Sequence, residues 1–386
     1  MLVHATDEPG CVGPVETRIA ELTRPDEAMV LAGGEKLGHV EVAYQTYGEL
    51  NADASNAVFI CHALTGDANA AGRLDGQSRP GWWDNMIGPG KPIDTTTWFV
   101  VCANLLGGCR GTTGPASIDP ATGEAYGLRF PLLDMRDFVQ AHRRLGLHLG
   151  VRRWAAIVGG SLGGMQVLQW CLDFPDEVDN AIIIAASSRL TAQNIAFSAV
   201  GRQAIMRDPN FHGGQFAAHQ TSPRIGLATA RMLGHITYLS EVAFSEKFGR
   251  QPQHGDPAPG FGVDFAVESY LEHQGEAFLA RFDALSYLYL TRVMDYFDPF
   301  ASPDALEKLA GSPVRTLVVS FDTDWRFATS HSRRIVRHLE RATVPVSFRE
   351  ISSPWGHDSF LLEIATYHAT IAAFLARAAD ELGVAR

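Results

Sequence analysis

Ser161 stands in Gly159-Gly160-Ser161-Leu162-Gly163, where a short apolar run gives way to a helical pattern. WAAIVGGSLGGMQVLQW reads as strand, tight turn and helix, with the serine at the apex. A nucleophile elbow has this form: the serine occupies a strained turn, and glycines two positions to either side avoid clashes. The helix that follows aims its N-terminal dipole and the Leu162 N–H at the place where an oxyanion would form. A second donor is expected from the loop after an earlier strand. AVFICHALTG supplies that loop, with the Leu64 N–H as the candidate donor and His62 as a structural hydrogen-bonding residue.

A serine nucleophile needs a base and an acid that orients it, and in this arrangement the chain order is Ser, Asp or Glu, then His. After the apolar run RTLVVS comes FDTDWRF, which offers Asp322 and Asp324. Asp324 is favoured, because the residue just past a strand turns back into the loop and the later one projects over the strand ends. His357 follows the weaker run Val346–Ile351 in SSPWGHDSF, whereas His331, His338 and His368 fall in helical stretches. The expected chemistry is acyl transfer through Ser161, with His357 as base and Asp324 holding its tautomer.

These residues must be carried by a scaffold. Non-alternating apolar runs at Ala57–Cys61, Trp98–Ala103, Trp154–Val158, Ala181–Ala185 and Val314–Ser320 read as strands buried on both faces. Helical patterns at Asp134–Leu149, Gly163–Phe174 and Ile364–Leu382 fall between and after them, and Asp134 is a candidate cap. The alternation predicts an α/β fold with a mostly parallel sheet and helices on both faces. It breaks between residues 188 and 298, where Ala192–Met206, Ile225–Leu239, Val263–Ala280 and Ala284–Tyr296 are helical and no convincing strand appears. The expected organisation is a core of residues 15–187 and 299–386, with residues 188–298 inserted as a helical cap over the site.

Composition sets limits. With 46% hydrophobic and 19% charged residues, the 386-residue chain can bury a large core. A net charge of −11 without a Lys/Arg cluster argues against a nucleic-acid partner. No apolar stretch reaches membrane-spanning length and no secretion signal is visible, so no membrane partner is expected. Five cysteines without CxxC spacing fit a reduced cytoplasmic protein, and no metal-ligand spacing is present.

Longer motifs resemble a specific family. YQTYGELN, ICHALTGDANAAG, GWWDNMIGPGKPIDT, CANLLGGCRGTTGPASI, VGGSLGGMQVLQW, LTAQNIAF, GLATARMLGHITYLS and WGHDSFL together resemble the MetX-type homoserine O-acyltransferases, members of the α/β-hydrolase superfamily. The resemblance spans nearly the whole chain. It implies a ping-pong reaction without a bound cofactor: acyl-CoA, a co-substrate, acylates Ser161, and the homoserine hydroxyl attacks the acyl-enzyme. It further implies Arg231 as the binder of the substrate carboxylate, Asp358 as the holder of its ammonium, Tyr238 as a weaker contact, and a homodimer formed through the cap. On residue type alone, Arg231 reads as a solvated helix charge and Asp358 as a helix cap.

The acyl group turns on one position. Acetyl-transferring members commonly read SDWLFPP after the strand that carries the triad acid; here the chain reads TDWRFAT, with Arg326 in place of the leucine. That pattern resembles the succinyl-transferring branch, with Arg326 pairing the distal carboxylate of a succinyl group. Arg326 turned to solvent or to a CoA phosphate is the alternative. The remaining readings are an acetyltransferase, a serine O-acyltransferase differing by one methylene in its acceptor, an esterase or thioesterase, and a non-catalytic binding module.

Overall fold

The computed structural model describes residues 10–23, 27–255 and 260–384. An eight-stranded sheet organises it. In chain order its strands are β1 (Arg18–Glu21), β2 (Glu41–Tyr47), β3 (Ala57–Cys61), β4 (Phe99–Ala103), β5 (Ala156–Gly160), β6 (Asn180–Ile184), β7 (Arg315–Phe321) and β8 (Val346–Ile351). They lie in the order β8-β7-β6-β5-β3-β4-β2-β1. Only β1 with β2 and β2 with β4 pair antiparallel. From β4 through β8 every pairing is parallel.

The central strands β3, β5 and β6 are buried at every position, as their unbroken apolar runs require. Successive side chains point to opposite faces. Phe59, Ile157 and Ile183 therefore join one core with α1 (Met135–His148) and α2 (Leu162–Asp173). Val58, Ile60, Val158 and Ile182 join a second core with residues of the C-terminal helix, among them Tyr367, Ile371 and Leu375. Asp134 caps α1 as its sequence position suggests: its side chain accepts from the Arg136 N–H, while Asp137 accepts from the Asp134 N–H at 2.7 Å.

Two strands of this sheet have no counterpart among the expected elements. β1 and β2 lack an apolar run: β1 is short and largely exposed, and β2 (EVAYQTY) carries Gln45 fully buried in its middle. That amide is matched inside the fold, donating to Thr17 and accepting from the Tyr47 hydroxyl at 2.8 Å. Elsewhere boundaries shift by no more than three residues: β5 begins at Ala156 rather than Trp154 and runs on into the elbow glycines, and the helix expected from Val263 begins at Ala266.

Between β6 and β7 the chain adds no strand to the sheet among its described residues. It forms α3 (Ala192–Met206), α4 (Arg224–Tyr238), α5 (Glu241–Lys247), α6 (Ala266–Leu279), α7 (Ala284–Tyr296) and α8 (Ala305–Leu309). α3 packs on α4 and α7, and α4 packs on α6. After β7 the chain continues into α9 (Thr329–Arg341), β8 and α10 (Ala365–Leu382). No helix among the described residues is long and apolar enough to cross a membrane.

Candidate active site

Ser161 has φ 58° and ψ −123°, a conformation that L-residues avoid unless the surroundings impose it. The surroundings here are β5, β3 and α2 at very short range. A Cβ on Gly163 would fall 2.0 Å from the Cys61 carbonyl oxygen of β3, and one on Gly159 would fall 2.4 Å from the Gly163 backbone. Only glycine at both positions lets α2 start this close to the strand ends. The serine is thereby held at the C-terminal edge of the sheet, at the N-terminus of an almost entirely buried helix.

Two loops from other strands converge on it. The Ser161 hydroxyl lies 2.8 Å from His357 Nε2, and His357 Nδ1 lies 2.7 Å from Asp324 Oδ2. A carboxylate only accepts, so Nδ1 carries the ring proton, and Nε2 is free to accept from the serine. Asp324 Oδ1 accepts from the Phe327 N–H at 2.8 Å, which fixes the carboxylate plane. All three residues are buried. Such a chain of groups can draw the proton from the hydroxyl as its oxygen attacks a carbonyl or thioester carbon. Asp322, the other carboxylate of the same loop, is turned away: its Oδ1 accepts from the Ser353 N–H at 2.9 Å, tying the β7 and β8 loops together.

Ser161 opens on a cavity that is also lined by Leu64, Tyr238, Met294, Arg326, His357 and Asp358. The loop after β3 therefore reaches the serine, as the expectation for Leu64 requires, and Leu162 follows the serine directly at the first position of α2. His62 is buried within that loop; Leu105 N–H donates to its Nε2 at 3.2 Å, and its Nδ1–H donates to the Ala63 carbonyl at 2.7 Å. Burial lowers its pKa, which keeps the ring neutral and suited to this structural role.

Arg231 and Tyr238 both come from α4, two turns apart on the same face. The Arg231 guanidinium donates to the Thr65 hydroxyl at 3.2 Å and lies 4.8 Å from the Phe278 ring centroid. Its Nε has no partner among the described residues. Asp358 follows the base, and removal from water raises its carboxyl pKa, opposed by the charges of His357 and Arg231. Asp358 lines the cavity that holds Ser161, and Arg231 meets its wall through Thr65; an arginine and a carboxylate so placed can hold the two ends of a zwitterion.

Arg326 is 6% exposed and lies on the wall of the same cavity. Among the described residues it has no carboxylate within 4.0 Å, whereas the buried Arg202 and the half-buried Arg143, Arg292 and Arg315 are ion-paired. Three neighbours escaped the sequence reading. Thr65, Arg281, whose Nη1 donates to the Thr65 carbonyl at 2.8 Å, and Thr237 all cluster at this mouth. Thr65 and Thr237 sit in the quoted ICHALTGDANAAG and GLATARMLGHITYLS stretches, but nothing in spacing or type singles out any of the three.

The chain matches the α/β hydrolase fold over residues 56–364. A homoserine O-succinyltransferase of Nocardioides sp. is 55% identical over 366 residues, covering 95% of this chain and 99% of the relative. The chain belongs to the homoserine O-acyltransferase family. Among solved structures, the homoserine O-acetyltransferase of Bacillus anthracis superposes with a TM-score of 0.86 at 25% identity, covering 94% of this chain and 97% of that one. An esterase superposes with a TM-score of 0.85 at 28% identity, covering 94% of this chain and all of that one. Backbone shape alone therefore does not separate a homoserine acyltransferase from an esterase among these structures, and the side chains at the cavity must do so.

Proposed function

We infer that this chain is a homoserine O-succinyltransferase, working by ping-pong acyl transfer. The observation that carries the choice of acyl group is Arg326, a buried guanidinium without a carboxylate partner on the wall of the cavity that holds Ser161. Leaving such a charge unmatched is costly, and the distal carboxylate of a succinyl group offsets that cost, whereas an acetyl group offers nothing.

Ser161 Oγ attacks the thioester carbon of succinyl-CoA while His357 Nε2 takes its proton. The tetrahedral oxyanion is received by the Leu162 and Leu64 N–H groups. Collapse breaks the C–S bond, and His357 returns the proton to the departing thiolate. The homoserine hydroxyl then attacks the succinyl-Ser161 ester, again giving its proton to His357, and Ser161 leaves protonated. Asp324 keeps the imidazole in the required tautomer throughout. Arg231 holds the homoserine carboxylate and Asp358 its ammonium, with Tyr238 against both. The helical segment of residues 188–298 acts as the cap that supplies Arg231 and Tyr238.

Acyl-CoA and homoserine are the partners, without a resident cofactor. All five cysteines are free thiols, which supports a reducing cytoplasmic setting. Cap helices α3 and α4 expose Ile195, Val200, Ile225 and Ile236, which supports a homodimer formed through them. The deciding assay is kcat/KM for succinyl-CoA and acetyl-CoA, each with homoserine, serine or no acceptor. Succinyl-CoA with homoserine is expected to lead, and Arg326→Leu to erode that lead. A preference for acetyl-CoA would refute the acyl assignment, and thiol release independent of an acceptor would favour hydrolysis.

A further inference from the structure

Arg326 reaches its position without an acidic partner, so something neutral must hold it there. Its Nη1 donates to the Thr237 hydroxyl at 2.7 Å, the one hydrogen bond its guanidinium makes among the described residues. Thr237 is fully buried on α4, and its hydroxyl proton is committed to the Gly234 carbonyl one turn back at 2.8 Å. The lone pairs of that oxygen are thereby left facing the arginine. The other end of Arg326 is held as well: its backbone carbonyl accepts from Asn194 Nδ2 at 3.0 Å, and the same amide donates to Thr191 at the start of α3. The Tyr238 ring, 5.4 Å from the guanidinium carbon, closes a third side.

We propose that Thr237 is a positioning residue for acyl-donor selectivity, aiming the Arg326 guanidinium at the distal carboxylate of the donor. The inference rests on the reading of Arg326 given above. A hydroxyl anchor has a chemical logic that a carboxylate would lack. It accepts a hydrogen bond without neutralising the guanidinium, so the full charge stays available to the substrate. The donors Nε and Nη2 remain uncommitted among the described residues, which is what a two-oxygen ligand needs. The loop after β7 supplies the arginine, but α3 and α4 of the inserted segment decide where it points.

The test compares Thr237→Val, which keeps the side-chain shape and removes the acceptor, with Thr237→Ser, which restores it. For each variant, and for Arg326→Leu, kcat/KM is measured with succinyl-CoA and acetyl-CoA, and the ratio of the two is the readout. Thr237→Val is expected to lower the succinyl-to-acetyl ratio by about tenfold, as expected for a donor left facing a methyl group, with Thr237→Ser staying within about twofold of the parent. An equal fall with both donors would reduce Thr237 to a packing residue, and an unchanged ratio would remove it from selectivity; either overturns the proposal. If Arg326→Leu itself leaves the ratio unchanged, the assignment of Arg326 fails first, and the anchor with it.

Discussion

Asp322 and Asp324 are two residues apart on one loop, and their surroundings give them different work. Asp324 meets His357 Nδ1 at 2.7 Å, whereas Asp322 meets a backbone N–H of the neighbouring loop. Asp324→Asn presents an amide where the imidazole needs an acceptor of fixed orientation, so kcat should fall on the order of ten-thousand-fold. Asp322→Asn retains an oxygen that can accept from Ser353, and its kcat should stay within about fivefold of the parent. Steady-state rates with saturating donor distinguish the two, and a reversed order would reassign the triad acid. Asp358 makes a pH-dependent prediction. Burial raises its carboxyl pKa, so the anion that binds an ammonium is lost at higher pH than for an ordinary carboxylate near about 4. KM for homoserine should therefore climb on acidification before a solvated carboxylate would titrate, and Asp358→Asn should flatten that rise. The stability effect has the opposite sense. The folded state holds this proton more tightly than the unfolded chain, so its contribution is complete below the unfolded pKa and lost as pH rises through the raised one. Asp358→Asn should thus raise Tm at neutral pH and lose that advantage below about pH 4; an equal gain at both pH values would count against this account.

The elbow depends on how closely α2 approaches β3. Substituting Gly163 by Ala would place a methyl group against the Cys61 carbonyl, a contact that only a backbone shift can relieve. Overpacking of this kind costs about 1–3 kcal/mol, so the urea midpoint of Gly163→Ala should fall, and activity should fall further because the Leu162 N–H moves with the helix. An unchanged midpoint would mean that the strand and helix tolerate sliding apart. The same elements show what sequence reading can and cannot reach. β3, β5, β6 and β7 were legible because strands buried on both faces are unbroken apolar runs. β2 was not, because its buried Gln45 looks solvent-facing until Thr17 and Tyr47 are brought beside it. Thr237 was missed for the same reason, since a hydroxyl in the last turn of a helix announces nothing until Arg326 arrives from 89 residues away.

At the scale of the molecule, the sheet and the inserted helices divide the labour. The sheet edge carries Ser161, Asp324 and His357, while α4 contributes Arg231 and Tyr238 and anchors Arg326. If the inserted segment also forms a homodimer, light scattering should give about twice the chain mass of 42.0 kDa. Paired substitutions Val200→Asp and Ile225→Asp, at positions 57% and 70% exposed, should then return a monomer. A parent mass of one chain would remove the dimer from the proposal.

By itself the sequence determined the α/β class, the elbow at Ser161, the order of the triad and the helical insertion. Each of these is written locally, in apolar periodicity, in glycines beside a serine, or in a residue just past a strand. Tertiary structure brought Asp324, which the sequence favoured over Asp322, against His357, and it placed Arg326 inside the cavity rather than in solvent. Those outcomes depend on side chains brought together across 33 residues for the His357–Asp324 pair and 89 for Arg326–Thr237. Hydrogen bonds act over about 3 Å of space whatever the separation along the chain, so no local pattern can encode which partner is met.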